Sequence, residues 1–236
     1  MAGRQHRRFS SGPHASTAPP PRVITVSVTA RAPVIARARN EARRLGDLLE
    51  SHTAPSLYTA TAQTESLVAE LVNGFDSTGA ANRAMRMEGS WRVFYAPHIF
   101  RLSQWFGPTA RFEPLEYDLG EKGRFSSHVR YRGVFGGLVG EGWLSAAGTI
   151  APVDDATLEI EFTSFWVDNN GSALRRELPA DGGTAWDRLV TGVGRLGFFK
   201  PLAVFPVRYL EQGGTGSMSV FRFPTLESDI AIIKTE

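Results

Sequence analysis

Residues 158–167, Leu-Glu-Ile-Glu-Phe-Thr-Ser-Phe-Trp-Val, are the stretch that decides the fold class. Large apolar residues stand at positions 158, 160, 162 and 166, and Ser164 falls in the same series. A period of two places alternate side chains on opposite faces of a strand. The stretch therefore predicts a strand with one face toward an interior and with Glu159 and Glu161 on a solvated face.

The same period of two recurs on both sides of this stretch, at residues 91–95, 125–132 and 218–223. Glycines 133, 136, 137, 140, 142 and 148 lie among apolar residues, which is typical of bulges and sharp bends in strands. We therefore expect a mainly β fold of antiparallel strands, either a sandwich or a closed barrel. A closed barrel of about eight strands is just wide enough for one small ligand.

Two segments ahead of the strands have helical spacing of apolar residues, at 34–51 and around 64–72. We expect one or two N-terminal helices that pack on the rest of the domain, with a membrane or partner contact as the alternative. The first helix is rich in arginine, so one of its faces could meet anionic lipid.

Residues 1–30 have the composition of an organelle transit peptide, because they are rich in Arg, Ser and Pro and contain no acidic residue. Val28-Thr29-Ala30 resembles the end of a chloroplast transit peptide. A mitochondrial presequence, a secretory signal and a basic arm that binds nucleic acid are the alternatives. The sequence contains only three lysines, so we read no nucleic-acid surface from its 23 arginines and expect no nucleic-acid partner.

We divide the chain into a disordered leader (1–30), a helical segment (31–80), the strands (81–225) and a C-terminal tail (226–236). Residues 1–44 contain nine arginines and one acidic residue, whereas the remainder contains 17 basic and 23 acidic residues. The overall charge of +2 therefore combines a basic beginning with a mildly acidic body.

Signatures of catalysis are weak in this sequence. It has no cysteine, which excludes disulfides and thiolate sites. Glycines at 192, 194 and 197 match G-x-G-x-x-G, but Pro201 follows too soon for the helix that a phosphate-binding loop needs. The histidines share no ligand spacing. We expect no catalytic residue, no metal and no cofactor.

Aromatic residues are numerous on the faces that we predict to point inward. We expect the interior, as a ligand-binding surface, to be formed by Trp91, Tyr95, Phe125, Ser127, Tyr131, Trp143, Phe162, Ser164 and Trp166. The alternative is an ordinary packed core. The two small serines, Ser127 and Ser164, favour a cavity for a large apolar molecule slightly over a packed core.

Residues 196–207, LGFFKPLAVFPV, form a second apolar feature with a single charge, Lys200. Pro201 and Pro206 argue against a central strand here. The segment is either a buried loop or a lipid-surface contact, with Phe198, Phe199 and Lys200 as the membrane-contacting residues.

Three motifs resemble those of the plastid lipid-associated proteins, also called fibrillins or plastoglobulins. They are Gly-x-Trp through Tyr at 89–95, a strand with Trp166 and Asp168 at 160–168, and Val-Arg-Tyr at 207–209 followed by a Gly turn and a strand that contains Arg222. The resemblance covers roughly residues 64–223. The acidic residues that usually precede the last triplet are replaced here by Val204, Phe205 and Pro206.

The resemblance implies a lipocalin-like barrel, plastoglobule or thylakoid association in the chloroplast, and binding of prenylquinones, carotenoids or fatty acids. It implies no catalytic residues. The Gly-x-Trp opening is shared with lipocalins, where the Trp closes one end of the barrel, and Trp91 with Arg208 or Arg222 would play that role here.

Two other functions stay open at this point. One is a structural coat protein with a solid barrel. The other is a lipocalin-type enzyme acting on a lipid, which needs a convergent acid pair such as Glu141 with Asp168.

Overall fold

The computed structural model of the chain describes residues 28–50, 62–169, 183, 185–197 and 203–236. Its centre is an antiparallel sheet whose eight strands pair in chain order and whose last strand pairs with the first, so that the sheet closes in a ring. The mainly β, antiparallel fold with N-terminal helices is confirmed. The strands are β1 (Gly89–Tyr95), β2 (Arg111–Leu119), β3 (Arg124–Arg132), β4 (Gly142–Pro152), β5 (Thr157–Asp168), β6 (Val204–Leu210), β7 (Met218–Phe223) and β8 (Ser228–Lys234).

Among the described residues, three α-helices precede the sheet and two are inserted into it. They are α1 (Val28–Glu50), α2 (Ala62–Val72), α3 (Ala80–Ala84), α4 (Pro97–Ser103) after β1, and α5 (Ala185–Gly197) between β5 and β6. The first helix begins six residues earlier than the apolar spacing from 34 suggested. It therefore overlaps the last three residues of the expected leader, and the rest of that leader lies outside the described residues.

The helices α1 and α2 cover part of the outer face of the ring. Ala38, Ala42 and Leu45 lie four and three residues apart on α1, and all three are buried. They belong to the same apolar cluster as Met218 and Val220 of β7, whose side chains are fully buried on the outer face. Small alanines let a helix approach a sheet closely, which explains why this helix packs here.

The arginines of α1 are largely engaged by acidic residues of the protein itself. Arg37 lies 2.6 Å from Glu70, and Arg39 forms an ion pair with Glu211. Arg44 lies 2.7 Å from Glu41, and the hydrogen bonds from Arg44 hold the pKa of the Glu41 carboxyl below its usual value. This face therefore offers less free positive charge to anionic lipid than the sequence suggested.

The end of the chain completes the ring, so the prediction of a C-terminal tail at 226–236 was wrong. β8 pairs with β1 on one side and with β7 on the other. Its sequence, Ser-Asp-Ile-Ala-Ile-Ile-Lys, is short and nearly continuous in apolar residues, because both of its faces are covered. A strand of this kind lacks the alternation on which the sequence argument depended.

The ring is least regular between β5 and β6, whose pairing within the described residues covers Thr157–Pro206, Leu158–Phe205 and Glu159–Val204. Helix α5 lies along the remaining edge of β5. There the Thr191 hydroxyl accepts a hydrogen bond from the Phe165 N–H and donates one to the Phe165 carbonyl, each at 2.9 Å. Pro206 lies inside β6, contrary to the prediction from the two prolines, because β6 has few ladder bonds to lose.

Candidate functional site

The closed sheet surrounds a cavity of about 390 Å³, within the size range of small-molecule sites. Its wall is formed mainly by Leu115, Leu119, Phe125, Val129, Leu144, Ala146, Leu158, Ile160, Phe162, Phe165, Phe205, Phe221, Phe223, Ile230 and Ile232. The period of two along each strand delivers these side chains to one face. The residues that line the cavity include no Asp, Glu, Lys or Arg in the described part of the chain.

The two ends of the ring differ. At one end α3 packs under the strands, where Ala84 and Met87 line the cavity and the Ala81 N–H donates to the Asp155 carbonyl at 3.0 Å. At the other end α4 and the turn Gln104–Phe106 contribute Ile99, Leu102 and Phe106. Phe106 is 39% exposed while also lining the cavity, so we place the mouth at this end.

Three polar side chains interrupt the apolar wall, those of His98, Tyr117 and Ser127. Ser145 also borders the cavity, but its hydroxyl contacts His128 at 2.9 Å on the outer face. His98 was set aside in the sequence because the histidines share no spacing. Tyr117 was missed because Pro114 interrupts the pattern of β2, although Leu115, Tyr117 and Leu119 do alternate.

His98 lies near the mouth on α4. Its Nδ1 is 3.1 Å from the Ser228 hydroxyl, and its ring stacks on Phe223 with 5.1 Å between centroids. Burial, with a smaller contribution from Arg101, lowers the pKa of this imidazole to about 4. His98 is therefore neutral at pH 7 and adds no charge to the cavity.

Tyr117 and Ser127 lie deeper, as directly paired residues of β2 and β3. Burial alone raises the pKa of the Tyr117 phenol well above its usual value, which is the effect of an apolar environment on an ionisable hydroxyl. Neither hydroxyl has a hydrogen-bond partner among the described residues.

The structure places three of the predicted interior residues, Phe125, Ser127 and Phe162, on the cavity wall. Trp91 also faces inward, beside Tyr117, but packs into the core without reaching the cavity. Tyr131 faces inward near the mouth, where it packs against Ala110 and Val134 and donates its hydroxyl to Asn169 Oδ1.

The other four predicted interior residues, Tyr95, Trp143, Ser164 and Trp166, lie on the outer face, so their predicted orientation was wrong. Tyr95 pairs with Ala231, whose neighbours Ile230 and Ile232 line the cavity. Ser164 and Trp166 are paired with Ala147 and Ser145, and Trp143 is paired with Asp168 and Arg130, all on the outer face.

Bulges explain three of these four errors. The register shifts between Val93 and Tyr95 on β1, and again on β5 between Phe162 and Ser164. Each bulge inserts one residue and reverses the alternation beyond it. Phe162 and Phe165 therefore both face inward, and Trp166 faces His128 on the outer face with 5.8 Å between ring centroids. No bulge explains the wrong orientation predicted for Trp143. The residues of β4 that face inward are Leu144 and Ala146, so Trp143 faces outward.

The predicted contact of Trp91 with Arg208 or Arg222 is not formed. Arg222 lies on the outer face, 3.3 Å from Asp229, and Arg208 is exposed where the register of β6 shifts. The cation–π contact found among the described residues joins Arg83 to Phe75 instead.

The acid pair that an enzymatic function would need is not assembled in the cavity. Glu141 is exposed and lies 3.5 Å from Arg130, whereas Asp168 is buried at the end of β5. Neither residue lines the cavity. His128 does contact Ser145 and Asp118, at 2.9 and 3.5 Å, but Ser145 is only 1% exposed and this cluster packs under Trp166.

Exposed apolar side chains surround the mouth. This mouth patch consists of Trp105, Phe106, Phe135, Leu138 and Val139, with Trp105 79% and Leu138 90% exposed. The ring of Phe106 lies 5.3 Å from that of Phe112 and 5.9 Å from that of Phe135, so the patch is continuous with the cavity wall. The predicted membrane-contacting residues Phe198, Phe199 and Lys200 lie outside the described residues.

Within the described residues, no helix combines the length and hydropathy that a membrane span requires, and no group of three or more potential metal ligands occurs. Compared with models of known protein families and with curated proteins, the chain matches none. The likeness to plastid lipid-associated proteins therefore rests on the three motifs alone.

Proposed function

We propose that the protein binds and carries a small lipid or isoprenoid in the cavity of a lipocalin-like barrel, without catalysing a reaction. The observation that carries this proposal is a cavity of about 390 Å³ with an apolar, uncharged wall. Binding to such a wall is favourable because it removes apolar ligand surface from water. The wall provides no opposite charge for a strongly charged ligand. The ligand class includes prenylquinones, carotenoids and fatty acids.

The cavity also favours a carrier over a coat protein with a solid barrel. A solid barrel would fill the ring with side chains, but small residues stand on the wall, including Ala146 and Ser127. The acid pair of the enzymatic alternative has no support in the positions of Glu141 and Asp168.

We place the protein at a plastid membrane or lipid-droplet surface, such as a plastoglobule or a thylakoid. The motifs and the leader composition support the plastid, and the mouth patch supports the surface. Apolar side chains that project around a cavity opening allow a lipid to leave a membrane without crossing water.

The test is to incubate the full chain with a plastid lipid extract, re-isolate it, and identify the bound lipids by mass spectrometry. The control variants are Ala146→Phe, which places a ring in the cavity, and Ala147→Phe, which places the same ring on the outer face next to it.

We expect the wild type and Ala147→Phe to retain one lipid class, and Ala146→Phe to retain little of it. Recovery of no lipid above the level of an unrelated protein would overturn the proposed function. Equal recovery by Ala146→Phe would show that the lipid binds outside the cavity.

A further inference from the structure

Two unpartnered hydroxyls lie side by side in a cavity that is otherwise apolar. Tyr117 and Ser127 are directly opposite each other on β2 and β3, and both line the cavity. No described residue forms a hydrogen bond with either hydroxyl. Both side chains are only partly buried because they face the cavity, so their hydroxyls are accessible to a polar group of a ligand.

A third side chain without a hydrogen-bond partner among the described residues lies next to Tyr117 on the adjacent strand. Trp91 pairs with Tyr117 across β1 and β2, and its indole Nε1 is buried without a hydrogen-bond partner in the described part of the chain. Trp91 does not line the cavity, so Tyr117 and Ser127 are the side chains of this row that offer hydrogen-bond donors to a ligand, and the described lining offers no charge. A ligand group that only accepts can receive the O–H of both hydroxyls at once.

We propose that Tyr117 and Ser127 bind the polar head of the ligand, and that this head is a neutral hydrogen-bond acceptor, such as a ketone or quinone carbonyl. This inference rests on the proposed function and narrows its ligand class. An anionic head, such as a carboxylate, would be buried without a countercharge, because the described lining carries none.

The position of the pair also orients the ligand. Tyr117 and Ser127 lie two residue pairs from Leu119 and Phe125, at the end of the ring opposite the mouth. The acceptor head therefore lies deep in the cavity, and the apolar tail extends past Phe221 and Phe223 toward His98 and the mouth. A ligand of this kind enters head first.

The test compares three probes of equal chain length, namely an alkane, its methyl ketone and the corresponding carboxylate, at about pH 8. Binding of each is measured for the full chain and for the double variant Tyr117→Phe/Ser127→Ala. Ser126→Ala is the matched control, since Ser126 is the neighbour of Ser127 on the outer face of β3, paired with Asp118.

We expect the double variant to lower the ratio of ketone to alkane affinity about tenfold, the size of one to two neutral hydrogen bonds. Ser126→Ala should leave this ratio unchanged. The carboxylate should bind about tenfold or more weakly than the ketone in the wild type. Alkane binding by the double variant shows that its cavity is intact.

A second measurement needs no substitution. The infrared carbonyl stretch of an isotope-labelled ketone bound to the wild type should lie below its position in an alkane solvent, because hydrogen bonds weaken the carbonyl bond. An unshifted stretch, or an unchanged affinity ratio in the double variant, would overturn the inference. Failure of the wild type to bind any of the three probes would instead count against the proposed function.

Discussion

His98 is a buried ionisable residue near the mouth of the cavity. The unfolded chain protonates this ring near pH 6.5, whereas the folded protein does so only near pH 4. The unfolded state therefore binds more protons between these values, and the folded state loses stability as the pH falls through them.

We predict that the free energy of unfolding contains a His98 contribution that falls by up to about 1.4 kcal/mol per pH unit between about pH 6.5 and about pH 4. Urea unfolding of the wild type and of His98→Asn at a series of pH values measures it. The difference between the two proteins should be constant above about pH 7.5 and should shift in favour of the variant on acidification. A difference that stays constant down to about pH 4 would contradict the prediction.

Gly148 occupies a position where any side chain would collide with the neighbouring strand. A Cβ atom placed there would lie 2.0 Å from the Glu161 carbonyl oxygen, whereas one at Gly192 in α5 would meet nothing within 4 Å. Gly148 is also the residue on β4 at which the register with β5 shifts.

We predict that Gly148→Ala lowers the free energy of unfolding by about 2–4 kcal/mol, because β4 and β5 must separate. Gly192→Ala should raise it by about 0.5–1 kcal/mol, since alanine is the better helix former at an unhindered position. Chemical denaturation of both variants measures this contrast. Equal effects of the two substitutions on the free energy of unfolding would show that a collision with the Glu161 carbonyl does not cause the loss of stability at position 148.

Strand elements were predictable from the sequence where one face is polar and the register is unbroken. β3 meets both conditions, and Phe125 and Ser127 were assigned to the correct face. β5 was found as a strand, but the extra residue near Thr163 reversed its alternation, so Trp166 was placed on the wrong face. Bulges and continuous apolar strands such as β8 depend on partners distant in sequence, which a period of two does not encode.

The residues that line the cavity could be predicted only in part from this alternation. An interior with aromatic residues was expected, but three of those seven aromatic residues lie on the outer face of the ring instead. Tyr117 and His98 belong to elements that gave no regular signal, one interrupted by Pro114 and one a helix of seven residues. Their place in the site depends on how the ring closes.

The turn Val134–Gly137 and the residues that follow it carry much of the mouth patch. If the mouth patch contacts lipid as proposed, we predict that Leu138→Asp weakens binding of the full chain to anionic vesicles about tenfold or more, because a charge replaces an apolar side chain of this patch. Vesicle flotation measures this binding. The fold should be unaffected, since Leu138 is 90% exposed.

Val153→Asp is the matched control for this substitution. Val153 is 57% exposed and lies in the connection between β4 and β5, at the opposite end of the ring from the mouth. Its substitution should leave flotation unchanged. If both variants float like the wild type, the mouth does not contact the membrane.

At the scale of the whole molecule, an internal ligand replaces empty space in the centre of the ring and should stabilise all of it. We predict that the bound ligand, at about a hundred times its dissociation constant, raises the free energy of unfolding by about 2.7 kcal/mol. For a chain of this length that corresponds to a rise in the thermal midpoint of about 5–10 °C. Thermal unfolding followed by circular dichroism measures it.

The variant Ala146→Phe should show little of this rise, because the ring of the phenylalanine occupies the space of the ligand. Ala147→Phe should show all of it. A rise of equal size in both variants would mean that stabilisation comes from the surface of the molecule.

The short pairing of β5 with β6 leaves part of one edge of β5 without a described strand partner. Along the rest of this edge of β5 the described neighbour is α5, where the Thr191 hydroxyl makes two hydrogen bonds to the Phe165 backbone. This part of the edge is therefore held by side-chain hydrogen bonds, so separating α5 from β5 would leave the described strand pairing of the ring intact.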